Sequence, residues 1–233
     1  MKRCIPCFLL GMIVAGLIGV GCVTTLKKVE TAHMPTGSPT PRPSGPEWID
    51  LLDAAHAASW KNMDDDVKIF ELQDGVFHVF PIGPMRHAAY LGEDFGDFEL
   101  HVEFKLAKGT NSGIFFRSSE KNPVYEGFEV QVLDDAGTLP NKNGTGAIYD
   151  VATPMFNMAL PAGEWNSYDL TCKGPNVTVV VNGWKVLDVD LSKLTMPVGK
   201  FSTPLATLPQ KGHILLQDHG GEAWYRCVMV KKI

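Results

Sequence analysis

Three short apolar runs in this chain end in, or alternate with, groups able to donate, accept or move protons. They are Asn111-Ser112-Gly113-Ile114-Phe115-Phe116-Arg117, Gly127-Phe128-Glu129-Val130-Gln131-Val132-Leu133-Asp134 and His213-Ile214-Leu215-Leu216-Gln217-Asp218-His219-Gly220-Gly221. In the second, a period of two sets Glu129 and Gln131 on the face opposite Phe128, Val130 and Val132. Taken alone, that alternation describes any strand with water on one side. If the three runs are strands of one sheet, Arg117, Glu129, Gln131, Asp218 and His219 converge on one concave surface.

The rest of the chain from Trp48 onward is patterned to build such a sheet. It is a series of short alternating runs separated by turn signals, with no long stretch of helical period, which predicts an all-β domain. Ile69–Leu72 and Val76–Phe80 flank Gln73-Asp74-Gly75, and Val177–Val181 and Trp184–Leu187 flank Asn182-Gly183. Asp-Gly and Asn-Gly supply the positive φ angles that a two-residue hairpin turn requires. Phe98–Leu106 alternates throughout, with Phe98, Leu100, Val102, Phe104 and Leu106 on one face. Glu99, His101, Glu103 and Lys105 share the other, read as a solvated face with cross-strand charge pairs and no site at His101. Tyr168–Cys172 and Trp224–Val230 read as further strands. About ten to twelve such strands in one domain must close, split or stack, which predicts a sandwich of two curved antiparallel sheets with a ligand across the concave face.

The 233 residues suit one all-β domain. A net charge of -5 with scattered Lys and Arg leaves no footprint for a phosphate backbone, so nucleic acid is excluded as a partner. Residues 1–21 read as a signal peptide: Lys2 and Arg3 precede the apolar run Ile5 to Val20, with small residues at Gly19 and Gly21. The run is shorter than the roughly 20 residues of a spanning helix. Cys22 after Gly19-Val20-Gly21 resembles the lipidation site of a bacterial lipoprotein, although Gly19 stands where Leu is usual, which keeps simple secretion as the alternative. The expectation is an exported lipoprotein of the periplasm, outer membrane or cell surface, held to the membrane by a lipid anchor. Residues 22–47, rich in Pro, Thr, Ser and Gly, read as an extended tether. Residues 48–233 form the folded domain. Of five cysteines only Cys172 and Cys227 fall within it, either as a disulfide or as two buried free thiols. Asp64-Asp65-Asp66 reads as a solvated loop.

From Trp48 to Ile233 the chain resembles the bacterial 3-keto-disaccharide hydrolase domain family, once a domain of unknown function. The resemblance rests on Trp48-Ile49-Asp50-Leu51-Leu52-Asp53, Gln73-Asp74-Gly75, Asp97-Phe98-Glu99-Leu100, the three runs above, Thr145-Gly146-Ala147-Ile148-Tyr149, Gly163-Glu164-Trp165-Asn166 and Val181-Asn182-Gly183, in that order. The chain departs from the family at Ala54 and Asp150, where Gly is usual; Asp150 places a carboxylate beside Tyr149. The resemblance implies a concanavalin-like jelly-roll fold and cleavage of glycosides oxidised to a ketone at C3. Such a ketone acidifies the C2 hydrogen, so a base can remove it and the C1 substituent departs by elimination before water adds. That route needs a base, a group for the developing oxyanion and an acid for the leaving oxygen. His219, polarised by Asp218, is the first choice of base, with Glu129 second as base or acid. Arg117 would hold the enediolate or act as a structural partner of a carboxylate. Gln131 and Tyr149 suit sugar hydroxyls, and Asp134 completes the substrate-binding set. A divalent ion on some of Glu129, Asp134, Asp218 and His219 would be an alternative electrophile. The competing reading is a non-catalytic carbohydrate-binding module that uses Trp60, Trp165, Trp184 and Trp224 as platforms.

Overall fold

The computed structural model describes residues 36–63, 67–83 and 85–233, and thirteen strands are found among them. The signal segment, Cys22, the first part of the tether and Asp64–Asp66 lie outside the described residues. One sheet runs, in spatial order, β11 (Trp184–Asp190), β10 (Asn176–Val181), β9 (Asn166–Lys173), β6 (Phe98–Leu106), β13 (Ala223–Lys232), β4 (Val76–Val79) and β3 (Phe70–Gln73). β1 (Ile49–Asp50) pairs with β13 as its eighth strand. The second sheet runs β2 (Trp60–Asn62), β5 (Arg86–Phe95), β12 (Gly212–Asp218), β7 (Asn111–Ser118) and β8 (Phe128–Leu133). Every pairing is antiparallel. This is the sandwich of two antiparallel sheets that the strand pattern predicts, with the jelly-roll architecture that the resemblance implies.

The two sheets bury their facing side chains in one core. Leu100, Val102 and Phe104 of β6 belong to the same buried cluster as Ile114 and Phe116 of β7, Phe128, Val130 and Val132 of β8, and Ile214 and Leu216 of β12. Each such side chain contributes on the order of 1.5–3 kcal/mol when withdrawn from water. The two hairpins close as expected, with Gln73 paired to Val76 and Val181 to Trp184. Their first turn residues, Asp74 and Asn182, take φ of 53° and 48°, a region those two residue types tolerate.

β12, β7 and β8, which carry the three chemistry-bearing runs, are adjacent. Phe115 pairs with both Glu129 and Leu215, and Leu215 with Ala89, so one row crosses four strands on the face turned away from the core. Phe115, Leu215 and Ala89 form a small apolar cluster of their own there. β5 has no clean alternation in the sequence; its buried middle, His87 to Tyr90, is covered on both faces.

The domain's contacts begin ahead of Trp48. The Ser38 amide donates to the Asn182 carbonyl at 3.1 Å, and the Thr40 amide to Ser167 Oγ at 2.8 Å. Thr40 Oγ1 donates to Asp169 Oδ2 at 2.7 Å, and Arg42 Nε to Glu103 Oε1 at 2.5 Å. Residues 37–42 are thus a strap over the outer face of the larger sheet, where an expectation of a free tether had placed them in solvent. A Pro-rich segment has few amides to satisfy, so it can lie flat on a polar face with few backbone bonds, most of its contacts there involving side chains. Its consequence is that His101 and Glu103, expected on a solvated face, are 1% and 6% exposed. Cys172 and Cys227 are free, buried thiols, and burial pushes them up to about 12 and about 11.

Candidate functional site

A cavity of about 500 Å³ opens over the outer face of β8, β7 and β12. Its walls include Glu129 and Gln131 from β8, Gln217 and His219 from the end of β12, the turn Tyr149-Asp150, Lys200, and a rim of Met85, Val124 and Tyr125. A wider hollow of about 610 Å³ beside β2 and β3 is walled by Lys61, Lys68 and Glu71 and holds none of the converging groups.

Glu129 lies across β7 because Gly113 leaves room for it: a Cβ there would collide with Glu129 Oε1. The carboxylate is 5% exposed, and its partner is Lys200, whose Nζ stands 3.5 Å from Oε2. The ammonium is itself only 12% exposed and sits over the rings of Tyr149 at 5.2 Å, Phe201 at 5.5 Å and Phe115 at 5.6 Å. Burial pushes the Glu129 carboxyl up to about 7, against the downward pull of Lys200. Burial likewise lowers Lys200, against the upward pull of Glu129. A carboxyl that titrates near neutrality beside a half-desolvated cation is the arrangement expected of a proton-transfer site. Gly199 delivers Lys200: it has φ of 56°, and its Cα faces the Asp150 backbone so closely that no Cβ would fit.

A second line of groups orients the imidazole. Gln131 Nε2 donates to Asn111 Oδ1 at 3.1 Å, and Asn111 Nδ2 donates to His219 Nδ1 at 3.2 Å. With Nδ1 accepting, the neutral ring carries its proton on Nε2. The Oε1 atoms of Gln131 and Gln217 are buried and have no hydrogen-bond partner, which leaves two acceptors in the cavity wall for hydroxyl donors.

Of the expected site residues, Glu129, Gln131, Tyr149 and His219 meet in this cavity. Three do not. Asp218 alternates to the core side of β12, where it is fully buried and accepts from the amides of Ile82 at 3.1 Å, Gly83 at 3.0 Å and Gly220 at 3.0 Å. It clamps two loops, and Asn111 takes the role at His219 Nδ1 expected of it. Arg117 sits where the β7–β12 register shifts, with φ of 50°, and that irregularity turns its side chain off the cavity face. Its guanidinium donates to the carbonyls of Gly96 at 2.9 Å and Gly174 at 2.8 Å, to Gln210 Oε1 at 2.8 Å and to Asp97 Oδ1 at 3.2 Å. Asp134 accepts from the Gly109 amide at 2.8 Å and pairs with Lys108 Nζ at 3.0 Å, and the Gly109 bond leads the contacts that hold its carboxyl low. Asp134 and Asp218 are engaged elsewhere, so of the four residues named for a divalent ion Glu129 and His219 are the two that line the cavity.

Lys200 and Asn111 complete the site. Lys200 lies outside any strand, so no period marks it, and Asn111 opens a run whose last residue, Arg117, drew the attention. Asp150 takes φ of 60°, a conformation that favours glycine, and its carboxylate pairs with Lys142 at the cavity mouth. Trp60 is in the core, Trp165 and Trp224 are covered by Arg226 and Lys105, and Trp184 is 40% exposed on β11. None of the four lines the cavity.

A model of the 3-keto-alpha-glucoside-1,2-lyase-like domain matches residues 47–231. The chain belongs to that family. The 3-keto-disaccharide hydrolase of Bacteroides thetaiotaomicron is 31% identical over an alignment covering 59% of this chain, and the chain spans 59% of that relative's length. The crystal structure of a putative glycosyl hydrolase from Parabacteroides distasonis ATCC 8503 superposes with a TM-score of 0.70 and 26% identity, covering 80% of this chain and 99% of that one. A Bacillus subtilis protein with a galectin-like fold has a TM-score of 0.56 at 14% identity over 82% of this chain and 97% of its own, and shares the sandwich alone. The lyase-like domain thus extends over the whole sandwich and includes every residue of the cavity.

Proposed function

We propose that this member of the lyase-like family cleaves glycosides or disaccharides whose sugar is oxidised to a ketone at C3, by elimination followed by hydration. The observation that carries the reading is the buried Glu129–Lys200 pair, with the carboxyl raised to about 7 and the ammonium 3.5 Å away. Ionised Glu129 removes the C2 proton, and the electron pair moves onto the C3 oxygen, where Lys200 stabilises the enediolate. Collapse of the enediolate forms the C1–C2 double bond and breaks the bond from C1 to the leaving oxygen. That oxygen accepts a hydrogen bond from His219 Nε2–H, whose direction Asn111 sets, and takes its proton from a water molecule as it departs. The hydroxide so formed adds at C1, and Glu129 returns the proton to C2. The acceptors Gln131 Oε1 and Gln217 Oε1 suit sugar hydroxyls. An oxocarbenium route would instead need two carboxyl groups free to flank the bond, whereas Asp150, the other carboxylate of the cavity, is paired with Lys142.

Relative to the expectation from sequence, the carboxylate takes the role of base from His219, and the imidazole becomes a hydrogen-bond donor to the leaving oxygen. Export and acylation at Cys22 belong to the same proposal, and residues 37–42 would then hold the domain to its anchor. The test is turnover of a 3-keto disaccharide and of its unoxidised parent by the full chain and by Glu129→Gln. Release of keto-sugar by the parent chain and its loss by at least about a hundredfold in Glu129→Gln is expected. Equal turnover by the variant would overturn the assignment of the base. Affinity for the parent sugar without turnover of either compound would make the domain a binding module.

A further inference from the structure

On the outer face of the larger sheet, remote from the cavity, His101, Glu103 and Cys227 offer one ligand atom each within 4.8 Å of one another, and all three residues are buried. The fold brings them together through an irregularity in β13. Arg226 pairs with Glu103 and Met229 with His101, so Cys227 and Val228 together stand against Val102. Cys227 takes φ of 55°, an unfavourable conformation for a residue with a side chain, and strain of that kind gathers at functional positions.

Two observations point from this cluster to a ligand. His101 is 1% exposed, yet its Nε2 has no hydrogen-bond partner. Its other nitrogen is fixed: Nδ1 stands 2.6 Å from Asp169 Oδ1, and Asp169 in turn accepts from Thr40 of the strap at 2.7 Å. A carboxylate that orients one imidazole nitrogen while the other is left without a partner, in a ring set beside a thiol and a second carboxylate, is the usual outer shell of a zinc-bound histidine. Glu103 is meanwhile held by Arg226, which is stacked on Trp165 at 3.9 Å, and by Arg42, whose side chain is 54% exposed.

We propose that His101, Glu103 and Cys227 form a site for one thiophilic divalent cation such as zinc, closed by the strap and occupied in competition with Arg42. Sulfur, imidazole and carboxylate together suit that ion, with a water in the fourth position. Ligand atoms around a tetrahedral zinc lie about 3.5 Å apart, so the cluster contracts by about 1 Å on binding. Binding displaces the Cys227 thiol proton to solvent and exchanges the Arg42 contact to Glu103 for a metal bond. The metal is thereby coupled to the strap that joins the domain to its N-terminal segment.

The probe is Co²⁺ or Zn²⁺ added to the full chain. One equivalent of Co²⁺ is expected to give a thiolate-to-cobalt charge-transfer band that Zn²⁺ abolishes and that Cys227→Ser and His101→Gln lack. Arg42→Ala, at an exposed side chain that leaves the fold intact, should tighten Zn²⁺ binding by about fivefold, the factor expected for losing a competing surface ion pair. A band that survives Cys227→Ser, no saturable binding by the unaltered chain, or an affinity unchanged in Arg42→Ala would each overturn the proposal. The outcome is independent of what the cavity on the other sheet catalyses.

Discussion

Replacing Lys200 with methionine keeps an unbranched apolar side chain in its aromatic pocket and deletes the charge. At 3.5 Å and an effective dielectric of about 20, the lost attraction has a ceiling of about 5 kcal/mol. An opposite charge at this range lowers a carboxyl by about 1–3 units in practice. Without the ammonium, Glu129 should therefore rise from about 7 to about 8–10. Its ionised fraction at neutral pH then falls from about one half to about a tenth or less, a loss of at least about fivefold in base alone. The enediolate also loses its electrostatic partner, which removes a further factor on the order of 10²–10³ at every pH. The assay is kcat/KM for a 3-keto disaccharide between about pH 5 and about pH 10, where the acid limb reports the free enzyme's base. The limb should move upward by at least one unit, with the plateau still depressed. A limb that stays within about half a unit of its original position would refute the coupling, and a restored plateau would refute Lys200 as the oxyanion partner.

The double variant Glu129→Gln/Lys200→Met removes both buried charges. Because Glu129 is raised in the folded state, its contribution is most favourable below the ordinary carboxyl range and is lost as pH rises through about 7. The variant should thus gain about 3 kcal/mol relative to the unaltered chain between about pH 4.5 and about pH 8, measured by denaturant unfolding at each pH. Asp218→Ala strands three backbone amides and should lower Tm by about 6–12 °C, for a cost of about 3 kcal/mol, while kcat/KM below the transition falls far less than for Glu129→Gln. Arg117→Met, which unties Asp97, Gly96, Gly174 and Gln210, should lose stability of similar size with the position of the pH limb unchanged. A stable, inactive Arg117→Met would return the guanidinium to the site.

The sandwich and its hairpins were readable because each rests on a local rule. Phe98–Leu106 alternates without exception, and Asp74-Gly75 and Asn182-Gly183 can hardly be anything but tight turns. The same period of two placed Glu129 and Gln131 on the cavity face. It failed at Arg117 because a register shift intervenes, and it should have excluded Asp218, which stands one residue from His219 and so on the opposite face. Lys200 was illegible for a different reason. Its position depends on a loop packed against the Asp150 backbone through Gly199, a contact between segments about fifty residues apart that no local pattern encodes. His101 and Glu103 were misplaced in solvent because burial by residues 37–42 is likewise a tertiary fact.

The central claim is that a proton leaves C2 of a ketone-activated sugar before the glycosidic bond breaks. It is tested most directly by turnover of a 3-keto disaccharide in deuterated water, followed by mass and NMR analysis of the released keto-sugar. Deuterium at C2 in step with turnover is expected, with no cleavage of the unoxidised parent. Cleavage of the keto-disaccharide with C2 still fully protonated, or equal cleavage of the parent sugar, would contradict it.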